Sequence, residues 1–276
     1  MTFPPQRPPA PPLTAFPNPI RVWAGLTPHR VAFTPDGHRL LSAHEDGTIC
    51  ILKVPEKLPV WRGFPPLDPN WLARTSQLPA DEQVKEVTAE LTRRNPGFID
   101  PLHVVKDGEG RVWDVGVNTT QLEDLSPFRV FPMLRQIRVE PKEGIGRVWD
   151  LRCLKALRLT TLSLRGNRVR DISPLRDMPL TYLLLDGSPL YDLPPLQKMS
   201  LWTLGLCNTN VEDISPLRGM PLESIYLHHT RIKDLSPLSK APLKGMTVSA
   251  PDLEPLRDLP SKGLISWAIT SQSKSR

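Results

Sequence analysis

The sequence lacks long apolar runs, and nothing in it approaches the roughly 18 consecutive apolar residues of a transmembrane helix. Its first residues, MTFPPQRPPAPP, contain no apolar core of a secretory signal. Cysteine is also scarce. Cys50, Cys153 and Cys207 are odd in number and lack metal-like spacing, which fits free thiols in a reducing compartment. We therefore expect a cytoplasmic protein without a membrane span.

Motifs for catalysis are missing as well. The Gly-rich loop, the V-A-I-K lysine, and the H-R-D and D-F-G motifs of a protein kinase do not occur. Gly144-Ile145-Gly146 lacks the third glycine of a dinucleotide loop, and His228-His229 has no nearby cysteine or third histidine to complete a metal site. The net charge of +6 is mild for 276 residues and concerns solubility. We expect no enzymatic activity, no cofactor, no metal and no small-molecule substrate.

What the sequence contains instead is a repeat of 21 residues, clearest as LWTLGLCNTNVEDISPLRGMP at 201–221. The stretches 159–179, 180–200 and 222–242 follow the same register without a gap. A fixed period in the twenties with L-x-x-L-x-L-x-x-(N/T)-x-(V/I) is typical of leucine-rich repeats, in which each coil supplies one short strand and a return segment. One coil buries too little apolar surface to be stable alone, so the coils must stack. The sequence thus predicts an α/β solenoid of short parallel strands and short helical turns.

The repeat positions, numbered 1 to 21 from the first leucine, have separate physical roles. Positions 1, 4 and 6 place apolar side chains on the strand side of the core, and positions 11, 14, 17 and 20 bury the returning half. An Asn or Thr at position 9, such as Asn167, can bond the backbone where the chain leaves the strand. Ser-Pro at positions 15 and 16 predicts a helical turn with serine as N-cap and proline at its first position. The aspartate at position 13 is expected to form local hydrogen bonds.

Less regular coils flank the four clean ones. The stretches 112–133 and 134–158 fit the pattern, the second with extra residues around 141–147, and such a departure from the rule is a candidate for function. A shortened copy at 243–260 and the residues 261–276 are expected to close the C-terminal end.

The first 64 residues differ in character. Residues 1–19 hold eight prolines and are expected to form a disordered or polyproline-like lead, with a P-x-x-P docking peptide as the alternative. The run HRVAFTPDGHRLLSAHEDGTICILKV alternates short β-rich runs with Asp-Gly turns, which predicts hairpins. It resembles one WD repeat. Propellers need about 4–8 blades, so a lone blade either packs on the rest of the chain or is a remnant of a longer propeller protein.

A helix is predicted at 80–94, where Val84, Val87 and Leu91 recur at helical spacing and the charges of the first and last turns match the helix dipole. We expect it to cap the solenoid; binding of a partner is the alternative. The predicted segments are a proline-rich lead at 1–19, a WD-repeat-like β segment at 20–64, a proline-rich joint with the capping helix at 65–110, the solenoid at 111–260 and a closing tail at 261–276.

The Asp-(Ile/Leu)-Ser-Pro-Leu repeats that follow an LPA-x-E-Q-V helix resemble bacterial leucine-rich repeats of multidomain proteins, over residues 70–260. Such proteins often carry WD repeats or a serine/threonine kinase domain upstream. The resemblance implies a non-enzymatic interaction module in a regulatory or signalling system. The alternative is that the chain is the separated regulatory C-terminal part of a kinase or WD-repeat protein.

Two surfaces are candidates for binding. The strand face of a solenoid, expected to be concave, is its usual binding surface, and here it carries two tyrosines and charges of both signs. Tyrosine is enriched in interface hot spots, so a protein partner fits this face better than a polyanion. We assign to it Arg138, Arg165, Tyr182, Leu184, Asp186, Trp202, Tyr226 and His228.

The second surface is a row of cations at position 18 or 19, which we call the basic row. Each follows its Ser-Pro turn, where a helix dipole favours positive charge, so we expect a structural role. Polyanion or nucleic-acid binding is the alternative, disfavoured because the row lacks interleaved aromatic residues. The basic row consists of Arg129, Lys155, Arg176, Lys198, Arg218, Lys240 and Arg257.

Overall fold

The computed structural model divides the chain into two compact units, residues 1–62 and 63–276. The proline-rich lead predicted at 1–19 and Arg257 of the basic row lie outside the described residues. The described residues are 28–33, 39–44, 49–53, 64–249 and 266–270.

The first unit contains a three-stranded antiparallel sheet. Its strands, in spatial order, are β1 (Pro28–Phe33), β2 (Arg39–His44) and β3 (Ile49–Lys53). β1 pairs with β2 and β2 with β3, which is the pairing of two consecutive hairpins. The small antiparallel segment predicted here is therefore confirmed, whereas its assignment as a WD repeat stays a prediction.

The second unit begins with two helices, and the longer one, α2 (Ala80–Arg94), has the bounds that its apolar spacing predicts. Val87 and Leu91 are fully buried. The helix contacts the turn Ser126–Val130 of the first coil. α2 thus lies against the first coil, as a capping helix does.

The shorter helix, α1 (Pro69–Thr75), is not predicted from the sequence, which reads there as the end of a proline-rich joint. Its signal is local: the Asp68 carboxylate accepts a hydrogen bond from the Asn70 N–H at 2.9 Å, and proline occupies the start of the helix.

Nine strands of the second unit form one sheet. They are β4 (His103–Lys106), β5 (Val112–Asn118), β6 (Gln136–Glu140), β7 (Thr161–Ser163), β8 (Tyr182–Leu184), β9 (Thr203–Gly205), β10 (Ser224–Tyr226), β11 (Gly245–Ser249) and β12 (Ser266–Thr270). They lie side by side in chain order, and each neighbouring pair from β5 to β12 is parallel. Each coil therefore adds one strand to the sheet, and β12 continues it within the predicted closing segment.

The N-terminal edge of this sheet is β4, an antiparallel strand that the repeat pattern does not predict. Its pairing with β5 shifts register between Val105 and Lys106, which marks a bulge. The Lys106 ammonium lies 2.7 Å from the Asp81 carboxylate of α2. A short, irregular strand tied to the helix thus ends the sheet.

Each of six coils returns through a short 3₁₀ helix, and successive 3₁₀ helices contact one another. The core lies between these turns and the sheet; Leu204, Val211 and Leu217 of one coil are all buried. The leucine-rich repeat solenoid predicted from the sequence is therefore confirmed. The turns are Ser126–Val130, Arg152–Ala156, Ser173–Leu175, Pro194–Leu196, Ser215–Leu217 and Ser236–Leu238.

The start of these turns differs from the prediction. In the coils that carry Ser-Pro, the residue that precedes the 3₁₀ helix is the Ile or Leu at position 14, and its side chain makes no capping hydrogen bond. Instead the aspartate at position 13 caps the turn, as where Asp213 Oδ1 accepts a hydrogen bond from the Ser215 N–H at 2.7 Å. The predicted serine cap is wrong, and the predicted local bonding by aspartate is confirmed. The same bond, at 2.8 Å, joins Asp124 to Ser126, Asp171 to Ser173 and Asp234 to Ser236.

This difference can be tested at one coil that breaks the pattern. Asp192 stands at position 13, but residue 194 is proline and has no N–H to donate. Asp213→Ala is expected to lower the free energy of unfolding by about 1 kcal/mol, the typical value of a capping bond, whereas Asp192→Ala is expected to be nearly neutral. Urea denaturation followed by circular dichroism measures both. Equal losses in the two variants contradict the capping role.

Candidate functional site

The face of the sheet that points away from the core, here named the outer sheet face, carries the side chains of positions 3, 5 and 7. These alternate with core residues because successive strand side chains point to opposite sides. In the coil of β9, Leu204 and Leu206 are fully buried in the core, while Thr203 is half-buried on the outer sheet face. All eight residues predicted for binding except Trp202, at position 2 beside the face, belong to these positions.

Arg138 lies on the outer sheet face and forms a salt bridge with the buried carboxylate of Asp114. Its Nη2 donates to Asp114 Oδ2 at 2.8 Å, and 45% of the Arg138 side chain is exposed against 6% for Asp114. Asp114 was not predicted for this face, although it stands at position 3 of the first coil. Its second oxygen, Oδ1, accepts no hydrogen bond from the described residues. The guanidinium is thus fixed in place with donors still facing solvent.

Arg165 is fixed in a similar way in the next coil, one step nearer the centre of the solenoid. Its Nε donates to Asp186 Oδ2 at 2.9 Å, and Asp186 Oδ1 accepts a hydrogen bond from the Cys207 N–H at 2.7 Å. Gly205 makes room for this arrangement, since a Cβ there would stand 2.6 Å from both Asp186 Oδ2 and Leu184 Cδ2. Leu184 lies flat over β9 and is only 2% exposed, so it offers little surface to a partner.

Cys207 and His228 meet on the same face, with Cys207 Sγ 2.9 Å from His228 Nδ1. Burial, together with the neighbouring Asp186 carboxylate, raises the pKa of the Cys207 thiol to about 12. The thiol therefore stays protonated at neutral pH and is a poor nucleophile. Burial likewise raises the pKa of Cys153 to about 12. Among the described residues, no group of three His, Cys, Asp or Glu side chains is placed to hold a metal ion.

Three aromatic side chains lie among these polar groups. Tyr182 and Tyr226 are half-buried on the outer sheet face, and Trp202 beside it is 57% exposed. The backbone of Trp202 is held from both sides, because its N–H donates to the Thr181 carbonyl at 2.8 Å and its carbonyl accepts from the Ser224 N–H at 2.9 Å. The face therefore combines exposed aromatic surface with arginines on a rigid sheet.

The basic row lies on the return side of the coils. Its six described members are exposed, and within residues 64–249 none of them forms a salt bridge. Hydrogen bonds from Ser236 lower the pKa of Asp234, and the charge of Arg218 in the preceding coil contributes to that shift. The negative charge of Asp234 thus offsets part of the positive charge of Arg218, and the structural role of the basic row stays a prediction.

Comparisons with known proteins found similar solved structures but no matching family or curated protein. No protein-family model and no curated protein matches the sequence. Among solved structures, the chain is similar to an internalin (InlF) from Listeria monocytogenes at 18% identity and a TM-score of 0.47, covering 72% of this chain and 66% of that one. It is also similar to internalin C2 of the same species at 22% identity and a TM-score of 0.41, covering 59% of this chain and 92% of that one.

A third similar structure is the leucine-rich repeat domain of APL1, at 19% identity and a TM-score of 0.38, covering 50% of this chain and 42% of that one. The chain spans less than two thirds of the length of the first internalin. The stacked coils of the chain itself define its class, which is a leucine-rich repeat solenoid. None of the helices among the described residues combines the length and apolarity needed to cross a bilayer.

Proposed function

We propose that the protein is a non-enzymatic interaction module that binds a protein partner through the outer sheet face. The observation that carries this proposal is the pair of fixed arginines, Arg138 and Arg165, next to Tyr182, Trp202 and Tyr226. Arginine, tyrosine and tryptophan are the residues in which interface hot spots are enriched. A face made of these residues suits a protein surface of mixed polarity.

The rigidity of the face supports the same conclusion. Ordering a mobile side chain on binding costs about 0.5–1.5 kcal/mol. Asp114 and Asp186 already hold the two arginines, and the backbone of the face is fixed in the sheet. Binding of a partner therefore costs less free energy, because the two arginine side chains are already ordered.

We extend the proposal to a regulatory or signalling role in the cytoplasm, on the resemblance of the Asp-(Ile/Leu)-Ser-Pro-Leu repeats to modules of multidomain regulatory proteins. A second candidate is that the chain is the separated part of a larger kinase or WD-repeat protein, and the antiparallel sheet of the first unit favours it. Sequencing the genomic region upstream of Met1 tests this: a promoter with no kinase or WD-repeat coding sequence contradicts the second candidate.

Binding is tested with the double substitution Tyr182→Ala and Tyr226→Ala. Partners captured from lysate by the wild-type protein are identified, purified and titrated against each variant by calorimetry. The double variant is expected to bind about tenfold more weakly or worse, as loss of hot-spot residues does. Arg218→Ala with Lys240→Ala, on the return side, is the control and is expected to bind normally. If the tyrosine variant retains every partner at full affinity, the outer sheet face is not the binding surface.

A further inference from the structure

Positive charge is concentrated in the second and third coils. Residues 135–170 contain ten arginines and lysines but only three aspartates and glutamates, whereas the whole chain contains 35 and 29. Four of the ten cations, Arg138, Lys142, Arg152 and Arg165, form salt bridges. The five exposed cations without a salt bridge to any described residue are Arg147, Lys155, Arg158, Arg168 and Arg170.

Three of these five lie together where the chain has left the strands, and we name Arg147, Arg168 and Arg170 the basic edge. The segments that carry them run side by side, because the Arg168 N–H donates to the Val148 carbonyl at 2.8 Å. Val148 is fully buried beside Arg147, and Val169 is fully buried between Arg168 and Arg170. Alternation about these valines turns all three arginines to the solvent side.

The basic edge is rigid although Arg147 lies at the end of the irregular loop at 141–147. The Gly146 N–H donates to the Gly166 carbonyl at 2.8 Å. Asn167, which is 1% exposed, donates to the Val139 carbonyl at 2.7 Å and accepts from the Val148 N–H at 3.1 Å. The extra residues of the second coil are therefore fastened to the third coil. Their anchoring fixes the position of Arg147.

Exposed apolar surface flanks the basic edge on two sides. Ile145 precedes Gly146 and Arg147 in the anchored loop and is 63% exposed. Tyr191 occupies position 12 of the fourth coil, the position that Arg170 occupies in the third, and is 55% exposed. The three arginines of the basic edge are therefore bordered by an exposed apolar side chain on each side.

Along the line of the basic edge, positive charge ends beyond the third coil, whereas the basic row continues on the return side. The residues at position 10 in the next two coils are Pro189 and Asn210, and the cation after them, Arg231, lies 3.6 Å from the Glu212 carboxylate. With strands about 4.8 Å apart, the basic edge spans on the order of 10 Å. A groove that tracks single-stranded nucleic acid needs cations along several nucleotides, so this edge is too short for one.

We propose that the basic edge binds a short acidic segment of a partner protein, with an apolar side chain of that segment packed against Ile145. Carboxylates of the segment pair with Arg147, Arg168 and Arg170, whose guanidinium groups suit bidentate binding of carboxylate. This surface lies off the outer sheet face and does not depend on binding there.

Fluorescence anisotropy tests the proposal on the full chain with three labelled probes: a peptide of Asp, Glu and Leu, a peptide of Asp and Glu alone, and single-stranded DNA of matched charge. The triple substitution Arg147→Glu, Arg168→Glu and Arg170→Glu is expected to weaken binding of the Leu-containing peptide by about tenfold or more. The matched control reverses three cations of the basic row, Arg176→Glu, Lys198→Glu and Arg218→Glu, and is expected to weaken it by about threefold at most.

Ile145→Ser separates the apolar contact from the charge. It is expected to weaken binding of the Leu-containing peptide and to leave the Asp and Glu peptide unaffected. Circular dichroism confirms that each variant is folded, and Arg→Gln at the same three positions replaces the triple variant if charge reversal prevents folding. The proposal is overturned if neither peptide binds wild type at low salt, if the control triple weakens binding as much, or if DNA binds more tightly through the same arginines.

Discussion

Replacing Arg94 with alanine is expected to lower the free energy of unfolding of the second unit by about 3–5 kcal/mol, the cost of removing one partner of a buried ion pair. The Arg94 and Asp124 side chains are 6% and 0% exposed, and Nη1 lies 2.7 Å from Oδ2. Without the guanidinium, the buried Asp124 carboxylate loses its direct ion-pair partner. Arg94 also donates to the carbonyls of Pro65 and Pro66 at 2.7 and 3.0 Å, and those bonds are lost as well.

The neighbouring residue shows why the effect is large. Asn95 Oδ1 accepts hydrogen bonds from the Glu123 and Asp124 N–H groups at 2.8 and 2.7 Å. The end of α2 is thus joined to the first coil by charge and by backbone bonds together. The position-13 aspartate, which in the later Ser-Pro coils caps a turn, here also anchors the capping helix.

Arg93→Ala is the control for this substitution. The Arg93 side chain is 67% exposed and pairs with Glu90 on the same helix. An exposed pair of this kind contributes less than about 1 kcal/mol. Urea denaturation followed by circular dichroism gives both values, and the capping role is contradicted if the midpoint for Arg94→Ala falls no further than that for Arg93→Ala.

The second large effect is expected for Gly146→Ala, at about 2–4 kcal/mol of lost stability. A Cβ at this position would collide with Asn167 Oδ1, so the Asn167 side chain must move. The movement disturbs the bonds to the Val148 N–H and the Val139 carbonyl, and a buried polar group left unpaired costs about 1–3 kcal/mol in addition to the strain of overpacking.

Gly108→Ala is the matched glycine control, because a Cβ there meets nothing within 4 Å. Its expected effect is within about 0.5 kcal/mol. Thermal unfolding by calorimetry compares the two variants. A melting temperature for Gly146→Ala that equals the wild-type value shows that the loop yields, and this outcome also removes the rigidity on which the basic edge depends.

The sequence predicts those parts of this fold whose burial is decided within one repeat. Leu204 and Leu217 are buried because their positions recur every 21 residues, and α2 follows from its own helical spacing. Burial and ion pairs that depend on contacts between coils cannot be predicted from the 21-residue pattern. Leu184 matches the exposed positions of the strand face, yet it is buried because residue 205 in the next coil is glycine. The charge of Arg94 similarly fits a helix dipole, and nothing in the sequence places Asp124 beside it.

A stack of parallel coils has no intrinsic length, since the backbone groups at a bare end form a template on which another molecule can add. Repeated addition of this kind yields an open filament rather than a closed oligomer. At the N-terminal end of this sheet, β4 runs in the opposite direction and carries a bulge, and Lys106 is drawn towards α2. Short, bulged, lysine-bearing edges resist strand addition. The bulge and the lysine of β4 therefore make this end a poor template for the addition of another molecule.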